Sequence, residues 1–349
     1  MKILILKPSS LGDVVQALPV LRLLKRHLAA SEIYWWIDSN LAPLLEADPD
    51  LAGVIRFERR RWASPLRWPE VWQSVRQLRQ HAFDVVIDLQ CLARSGIFAW
   101  LANGGLLIGL DEPREGARGF YDIAVPRASF HTHAVDWYLD VLKVLQVPLT
   151  WDFTWLPVRL EIAAGIRRKW PAETHRWIVL QPGARWSNKR WPVSHFAAML
   201  RTLSVAHPDY RFAILGSESD RELGAALSGP DFPANLDLTG RLSLPEMVEW
   251  IRLSDLMISN DTGPMHVAAA LHIPLVAIFG PTEPRRTGPY HHLDSALQTR
   301  LPCVPCLSSR CHNPNPLQCL VEITPERVLA RAEEYLRLAR TAGLSRVLP

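Results

Sequence analysis

Residues 2–7, Lys-Ile-Leu-Ile-Leu-Lys, place four apolar side chains in a row with no polar alternation. That is the pattern of a strand buried on both faces of a parallel sheet. Pro8-Ser-Ser-Leu-Gly12-Asp13 then turns the chain, and Val14, Leu18, Leu21, Leu24 and Leu28 follow at helical spacing. Pro19 is expected to kink this helix or to mark its second start. The alternation continues, with strands predicted at 32–37, 53–57, 84–89 and 106–110 and helices near 40–47, 68–81, 92–103 and 132–146. Strands alternating with helices mean an α/β domain with a mainly parallel sheet, whose ligands belong at the carboxyl ends of the strands. Asp13 sits at such an end.

From 147 to 175 the pattern breaks around Pro148, Trp151, Trp155, Pro157 and Pro171, with one short charged stretch at 159–168. A second series follows: strand 177–181, loop 182–191, helix 192–205, strand 211–215, loop 216–220, helix 244–253, then strand, polar loop, helix and strand across 255–279. The tail at 325–340 repeats Val328, Leu329, Ala332, Tyr335, Leu336 and Leu338 at helix-like spacing. The expected organisation is a first Rossmann-like domain at 1–150, a linker at 151–175 and a second Rossmann-like domain at 176–324. A C-terminal helix at 325–349 is expected to pack back toward the first domain. Two doubly wound domains would face each other across a cleft.

A chain of 349 residues is comfortable for two cores. Its net charge of +4 favours acidic ligands without demanding nucleic acid. The apolar run at the N-terminus is too short for a signal peptide, and no stretch of about 18 apolar residues could span a bilayer, so a cytoplasmic location is expected. The first strand is not followed by the G-x-G-x-x-G of a nicotinamide dehydrogenase, and no lysine-bearing glycine loop of an ATPase occurs.

Three stretches carry candidate chemistry. In Asn260-Asp-Thr-Gly-Pro-Met-His266 the chain passes from strand through a polar loop into a helix that Pro264 suits as an early residue. Unpaired N–H groups at a helix start favour an anion such as a diphosphate, and Gly263 allows close backbone approach. Asp261 would repel phosphate, so its partner is a backbone N–H, a ligand hydroxyl or a nearby cation; helix capping alone is the simpler alternative. A basic and aromatic stretch runs through Arg56, Arg59, Arg60, Arg61, Trp62, Arg67, Trp68, Trp72, Arg76 and Arg79, with only Glu58 and Glu70 against it. It suits an anionic partner or a membrane surface, or else a helix packed by its tryptophans with a solvated basic face. Cys303, Cys306, Cys311 and Cys319 form C-x2-C-x4-C-x7-C, spaced either for a structural metal, zinc or iron, or as reduced packing thiols. Cys91 reads as ordinary core.

Ser9-Ser-Leu-Gly-Asp13, residues 182–192 (Pro-Gly-Ala-Arg-Trp-Ser-Asn-Lys-Arg-Trp-Pro), Gly216-Ser-Glu218, Asn260–His266 and Phe279-Gly-Pro-Thr282, in that order, resemble the ADP-heptose:lipopolysaccharide heptosyltransferases. The resemblance runs from residue 1 to about 335. It implies a GT-B fold with an acceptor-binding first domain and a nucleotide-sugar-binding second domain. It also implies an inverting transfer of heptose from ADP-heptose to the lipopolysaccharide inner core at the cytoplasmic face of the inner membrane, without a catalytic metal. By resemblance Asp13 is the general base, and Lys189 neutralises the leaving diphosphate, held also by Thr262, Gly263 and Pro264. Glu218 lies near the ribose and Asp261 near the donor sugar, while His266 falls within the same motif. A diphosphate leaving group needs no strong acid, so one carboxylate and fixed positive charge suffice. An ordinary aspartate is a weak base, and a closed cleft is expected to raise its pKa. Rival readings are the same fold with another nucleotide sugar or another acceptor, a protein side chain included, or a non-catalytic nucleotide-sugar-binding protein.

Overall fold

In the computed structural model, which describes residues 1–59, 61–170, 172 and 175–341, the two alternating series become two six-stranded parallel sheets. The first contains β1 (Lys2–Leu6), β2 (Glu32–Asp38), β3 (Gly53–Phe57), β4 (Val85–Asp88), β5 (Leu106–Leu110) and β6 (Ile123–Val125), in the order β3-β2-β1-β4-β5-β6. Around it run α1 (Leu11–His27), α2 (Trp68–Gln80), α3 (Ala93–Leu101) and α4 (Ala134–Val144). Ile3, Leu4, Ile5 and Leu6 are wholly buried, as a central strand covered on both faces must be.

The second sheet contains β7 (Arg176–Gln181), β8 (Tyr210–Ile214), β9 (Leu236–Asp237), β10 (Leu256–Asn260), β11 (Leu275–Phe279) and β12 (Ala296–Gln298), ordered β12-β11-β10-β7-β8-β9. Its helices are α5 (Leu160–Lys169), α6 (Val193–Ala206), α7 (Arg221–Ser228), α8 (Leu244–Leu253), α9 (Gly263–Ala270), α10 (Pro284–Thr287), α11 (Gln318–Val321) and α12 (Pro325–Thr341). Counted from its own first strand, this sheet has the same order as the first. In each, the order reverses beside the first strand, at β1/β4 and β7/β10, which is where doubly wound folds hold ligands.

The chain divides into two contiguous units, Met1–Pro157 and Val158–Pro349. The stretch expected to be a linker therefore belongs partly to the second unit: α5 buries Ala163 and Ile166 and packs on α8. The final helix, expected to return toward the first domain, sends Val328, Ala332 and Leu336 into the core of its own unit, beside α6. Pro19 lies inside one continuous α1 rather than starting a second helix. Of the helix expected at 40–47 only a single 3-10 turn, Ala42–Leu44, forms. Helices α5, α7, α10 and α11 are missing from the sequence reading, as are the two- and three-residue strands β6, β9 and β12. Two or three residues cannot display a period, so neighbouring strands recruit them by pairing.

Candidate active site

The turn after β1 places a carboxylate at the start of α1. Asp13 Oδ2 accepts hydrogen bonds from the backbone N–H of Ser10 (2.9 Å) and from its hydroxyl (2.6 Å). This is half of a capping arrangement, so the cap and a chemical role are not exclusive. Lys7 follows β1 directly, a residue the sequence reading passed over as the end of a strand. Lys7 is 3% exposed; its Nζ donates to the Leu89 carbonyl at 2.8 Å and lies 4.6 Å from the centroid of the Tyr138 ring. Burial opposes its charge, but Tyr138, Asp13 and Cys91 outweigh burial and raise its pKa, so it is an ammonium. Burial pushes the Cys91 thiol up to about 12 against the pull of Lys7, which makes it inert core as expected. The loop after β4 is braced by Asp88, fully buried, which accepts from Gln90 N (2.8 Å) and from the Tyr121 hydroxyl (2.8 Å).

In the second unit, β10 ends at Asn260 and is followed by Asp261, and their side chains do different work. Asn260 is wholly buried: its Oδ1 accepts from Trp191 N at 3.0 Å and its Nδ2 donates to the Pro182 carbonyl at 2.7 Å, tying the 182–191 loop to β10. Asp261 Oδ2 accepts from Lys189 Nζ at 2.6 Å and from the Thr282 hydroxyl. Of the partners the sequence left open for Asp261, a nearby cation is the one found, with a hydroxyl of the protein beside it. Lys189 also lies 4.9 Å from the centroid of the Trp186 ring. Gln298 Nε2 holds the Thr282 and Gly280 carbonyls, fixing the loop that presents the threonine. Thr262 is the N-cap of α9, with Gly263 and Pro264 in its first turn and His266, largely buried, just behind. The helix start thus presents backbone N–H groups next to the Lys189–Asp261 pair.

Glu218 stands apart from this cluster: its side chain is 79% exposed and pairs with Arg221 at 3.1 Å. The buried acid of that loop is Asp220, which accepts from Ser217 N (2.9 Å) and from Arg190 (3.3 Å). Only glycine fits opposite it, since a Cβ at Gly183 would lie 2.5 Å from the Asp220 carboxyl. An acid three residues from a serine was visible in the sequence as a capping pattern, yet nothing there distinguished it from Glu218.

The basic stretch divides in two. Trp62 packs on Phe57 and stacks on Phe98, 6.0 Å away, while Trp68 and Trp72 are exposed on α2. These rings, with Arg59 and Arg94, line a pocket on the first unit, and Arg59 and Arg94 also line a second pocket with Ser9, Asp38, Gln90 and Glu115. Arg61 is engaged by Glu70 at 2.7 Å, and Arg60 lies outside the described residues. Of the two readings left open for the cysteines, a structural metal finds no support: among the described residues no group of three or more His, Cys, Asp or Glu is placed to hold a metal ion. Cys303, Cys306 and Cys311 are exposed free thiols, and Cys319 is a half-buried one packed against the second core. The spacing allowed a knuckle, but the loop between them does not bring the four sulfurs into one ligand set.

Residues 71–316 match the family described as Glycosyltransferase family 9 (heptosyltransferase). The lipopolysaccharide heptosyltransferase 1 of Pseudomonas aeruginosa is 29% identical, over 98% of this chain and 99% of that protein. The solved E. coli ADP-heptose lps heptosyltransferase II superposes with a TM-score of 0.77 at 24% identity, covering 97% of this chain and all of the other. The E. coli heptosyltransferase WaaC with ADP-2-deoxy-2-fluoro heptose gives 0.75 at 25% identity, covering 96% and 99%. Both share the two-domain GT-B arrangement of parallel sheets.

Proposed function

Because the chain belongs to glycosyltransferase family 9, we propose that it is an inverting heptosyltransferase moving heptose from ADP-heptose to a sugar of the lipopolysaccharide inner core. In this reading Asp13 takes the proton of the acceptor hydroxyl as its oxygen bonds to the anomeric carbon. The bond from that carbon to the diphosphate breaks, and ADP departs with the electron pair. Charge develops on the leaving diphosphate, so fixed positive charge counts most there. Lys189 supplies it, together with the N–H groups of Thr262 and Gly263 at the start of α9, where Pro264 sets the first turn. Asp261 orients a hydroxyl of the sugar, His266 supports the same turn, and Glu218, exposed and able to leave Arg221, reaches the ribose. The single observation that carries the donor side is the Lys189–Asp261–Thr282 cluster at the carboxyl end of β10.

On the acceptor side, Arg59 and Trp62 line the pocket they share with Trp68 and Trp72, and Arg61 extends the same charged rim. A phosphorylated core sugar and the anionic lipid surface that carries it both fit arginine and tryptophan there. Among the described residues no helix is long and apolar enough to cross a membrane, so the attachment proposed is peripheral, at the cytoplasmic face. The test is ADP release from ADP-heptose with heptose-free core lipopolysaccharide, with ADP-glucose as the control donor. Acceptor-dependent release that Asp13→Ala abolishes, while ADP binding persists, is expected. Tight donor binding without release on any acceptor overturns the reading.

A further inference from the structure

We infer that Asn188 is a positioning residue for the donor side: its amide anchors the turn that carries Lys189 to the exposed segment at 306–308. The inference rests on the reading of the Lys189–Asp261–Thr282 cluster as the diphosphate site.

Lys189 ends a three-residue 3-10 turn, Ser187–Lys189, which is too short to hold itself in place. Beyond the turn the chain is tied down, since Arg190 Nε donates to the Ala184 carbonyl at 2.8 Å and Trp191 N donates to Asn260. Within the turn the anchor is Asn188. It is 4% exposed, and its Nδ2 donates to the Ser308 carbonyl at 2.8 Å. The adjacent Leu307 N donates to the Pro281 carbonyl, also at 2.8 Å. Pro281 precedes Thr282, whose hydroxyl donates to the same carboxylate that accepts from Lys189. The contacts close into a ring: Lys189 to Asp261, Asp261 to Thr282, Pro281 to Leu307, Ser308 to Asn188, and along the backbone to Lys189 again. The 188 and 280 backbones also approach closely, since a Cβ at Gly280 would lie 3.2 Å from the Asn188 carbonyl oxygen.

Two features separate this ring from ordinary loop packing. Asn188 Oδ1 is buried with no hydrogen-bond partner among the described residues, so the side chain costs stability on one side and returns only the bond to Ser308 on the other. Leu307 has a φ of 53°, in the left-handed region that a leucine adopts only where its surroundings hold it. Its side chain is exposed, so apolar burial does not hold it there, whereas the bond to Pro281 does. The exposed loop is in turn tied to the 313–317 stretch, because Cys303 Sγ accepts from Asn313 Nδ2 at 3.5 Å and Cys311 Sγ from Leu317 N at 3.4 Å.

A diphosphate competes with Asp261 for the Lys189 ammonium, so that link of the ring weakens when the donor binds. The bonds at Ser308 and Pro281 involve neither of those charges and remain. They keep the turn in place from the other side, and positive charge that is already fixed costs no reorganisation when charge develops on the leaving group.

The test is calorimetric titration of the full chain with ADP, arranged as a double-mutant cycle. Asn188→Ala should weaken ADP binding by about three- to tenfold, the worth of one hydrogen bond. In a Lys189→Ala background the same change should have almost no further effect, because the anchor acts through the lysine. Leu307→Pro removes the N–H that Pro281 accepts and forbids a positive φ, so it breaks the ring at a second place and should behave alike. Melting curves check that each variant folds. An equal loss with and without Lys189 makes Asn188 a residue of general stability and overturns the inference, as does unchanged ADP affinity in a folded Asn188→Ala or Leu307→Pro. If Asn188→Ala does not fold, Leu307→Pro decides by the same criterion; if neither folds, the ring belongs to the core and the inference fails. Lys189→Ala alone separates the two levels. Wild-type ADP affinity in it sinks the diphosphate reading, whereas weaker binding in it beside an unaffected Asn188→Ala sinks only the role of Asn188.

Discussion

Lys189 donates to Asp261, so a diphosphate that reaches the lysine competes with a carboxylate for the charge of the same ammonium. Two expectations follow at this scale. Lys189→Ala should weaken ADP binding by roughly ten- to hundredfold, the loss of one charge-assisted contact. Asp261→Asn removes the competitor and should tighten ADP by about two- to fivefold, the size of a partly exposed charge pair, while lowering turnover of the sugar nucleotide. Calorimetric titration with ADP separates these from a general loss of fold, and weaker ADP binding by Asp261→Asn would contradict the competition. Asp13 could be picked out beside Gly12 in a turn and Asp261 two residues before Gly263 at a helix start, whereas Lys189 was reached only through the resemblance of its motif. Lys7 and Asp220 could not be picked out: one reads as the last residue of a strand and the other as a loop acid, and only burial shows what each faces. Thr282 was visible within its motif without a role, since its hydroxyl finds Asp261 across the gap between β10 and β11.

The elements behave according to how long a period they display. The β1, β10 and β11 runs and the helices α1, α4, α6 and α8 could be read from spacing because each carries enough turns or apolar residues to declare its type. The short β6, β9 and β12 exist only because a neighbouring strand offers hydrogen bonds, and no local pattern announces that. The final helix shows a related limit: its apolar stripe was legible, but a stripe does not say which core receives it. Leu336, 1% exposed in the second core, gives a direct test. Leu336→Ala should cost about 2–5 kcal/mol in denaturant unfolding. On α2 the effect is external, since Trp68 and Trp72 are more than half exposed. Replacing both with Ser should leave the melting temperature nearly unchanged and reduce binding to anionic vesicles, and unchanged vesicle binding would remove α2 from the acceptor side.

At the scale of the whole molecule the first unit carries an alkaline weakness. The Cys91 thiol ionises near pH 9 when unfolded but is held to about 12 when folded, and Tyr138 is likewise pushed up to about 12, by burial first. In both, the unfolded chain gives up its proton before the folded one, so stability falls as pH rises between those values, by about 1.4 kcal/mol per pH unit for each group. Melting curves from pH 8.5 upward, compared between wild type and Cys91→Ala, should show a shallower decline in the variant. The architecture has a consequence of another kind. Two contiguous units of the same strand order, each closing its own core and joined at a single crossing near Pro157, form a chain whose halves can be inherited separately. Recombination at that crossing would exchange the half proposed to meet the acceptor and keep the half proposed to grip the nucleotide. Lineages built this way would diversify their surface glycans by shuffling parts rather than by remaking a catalytic centre.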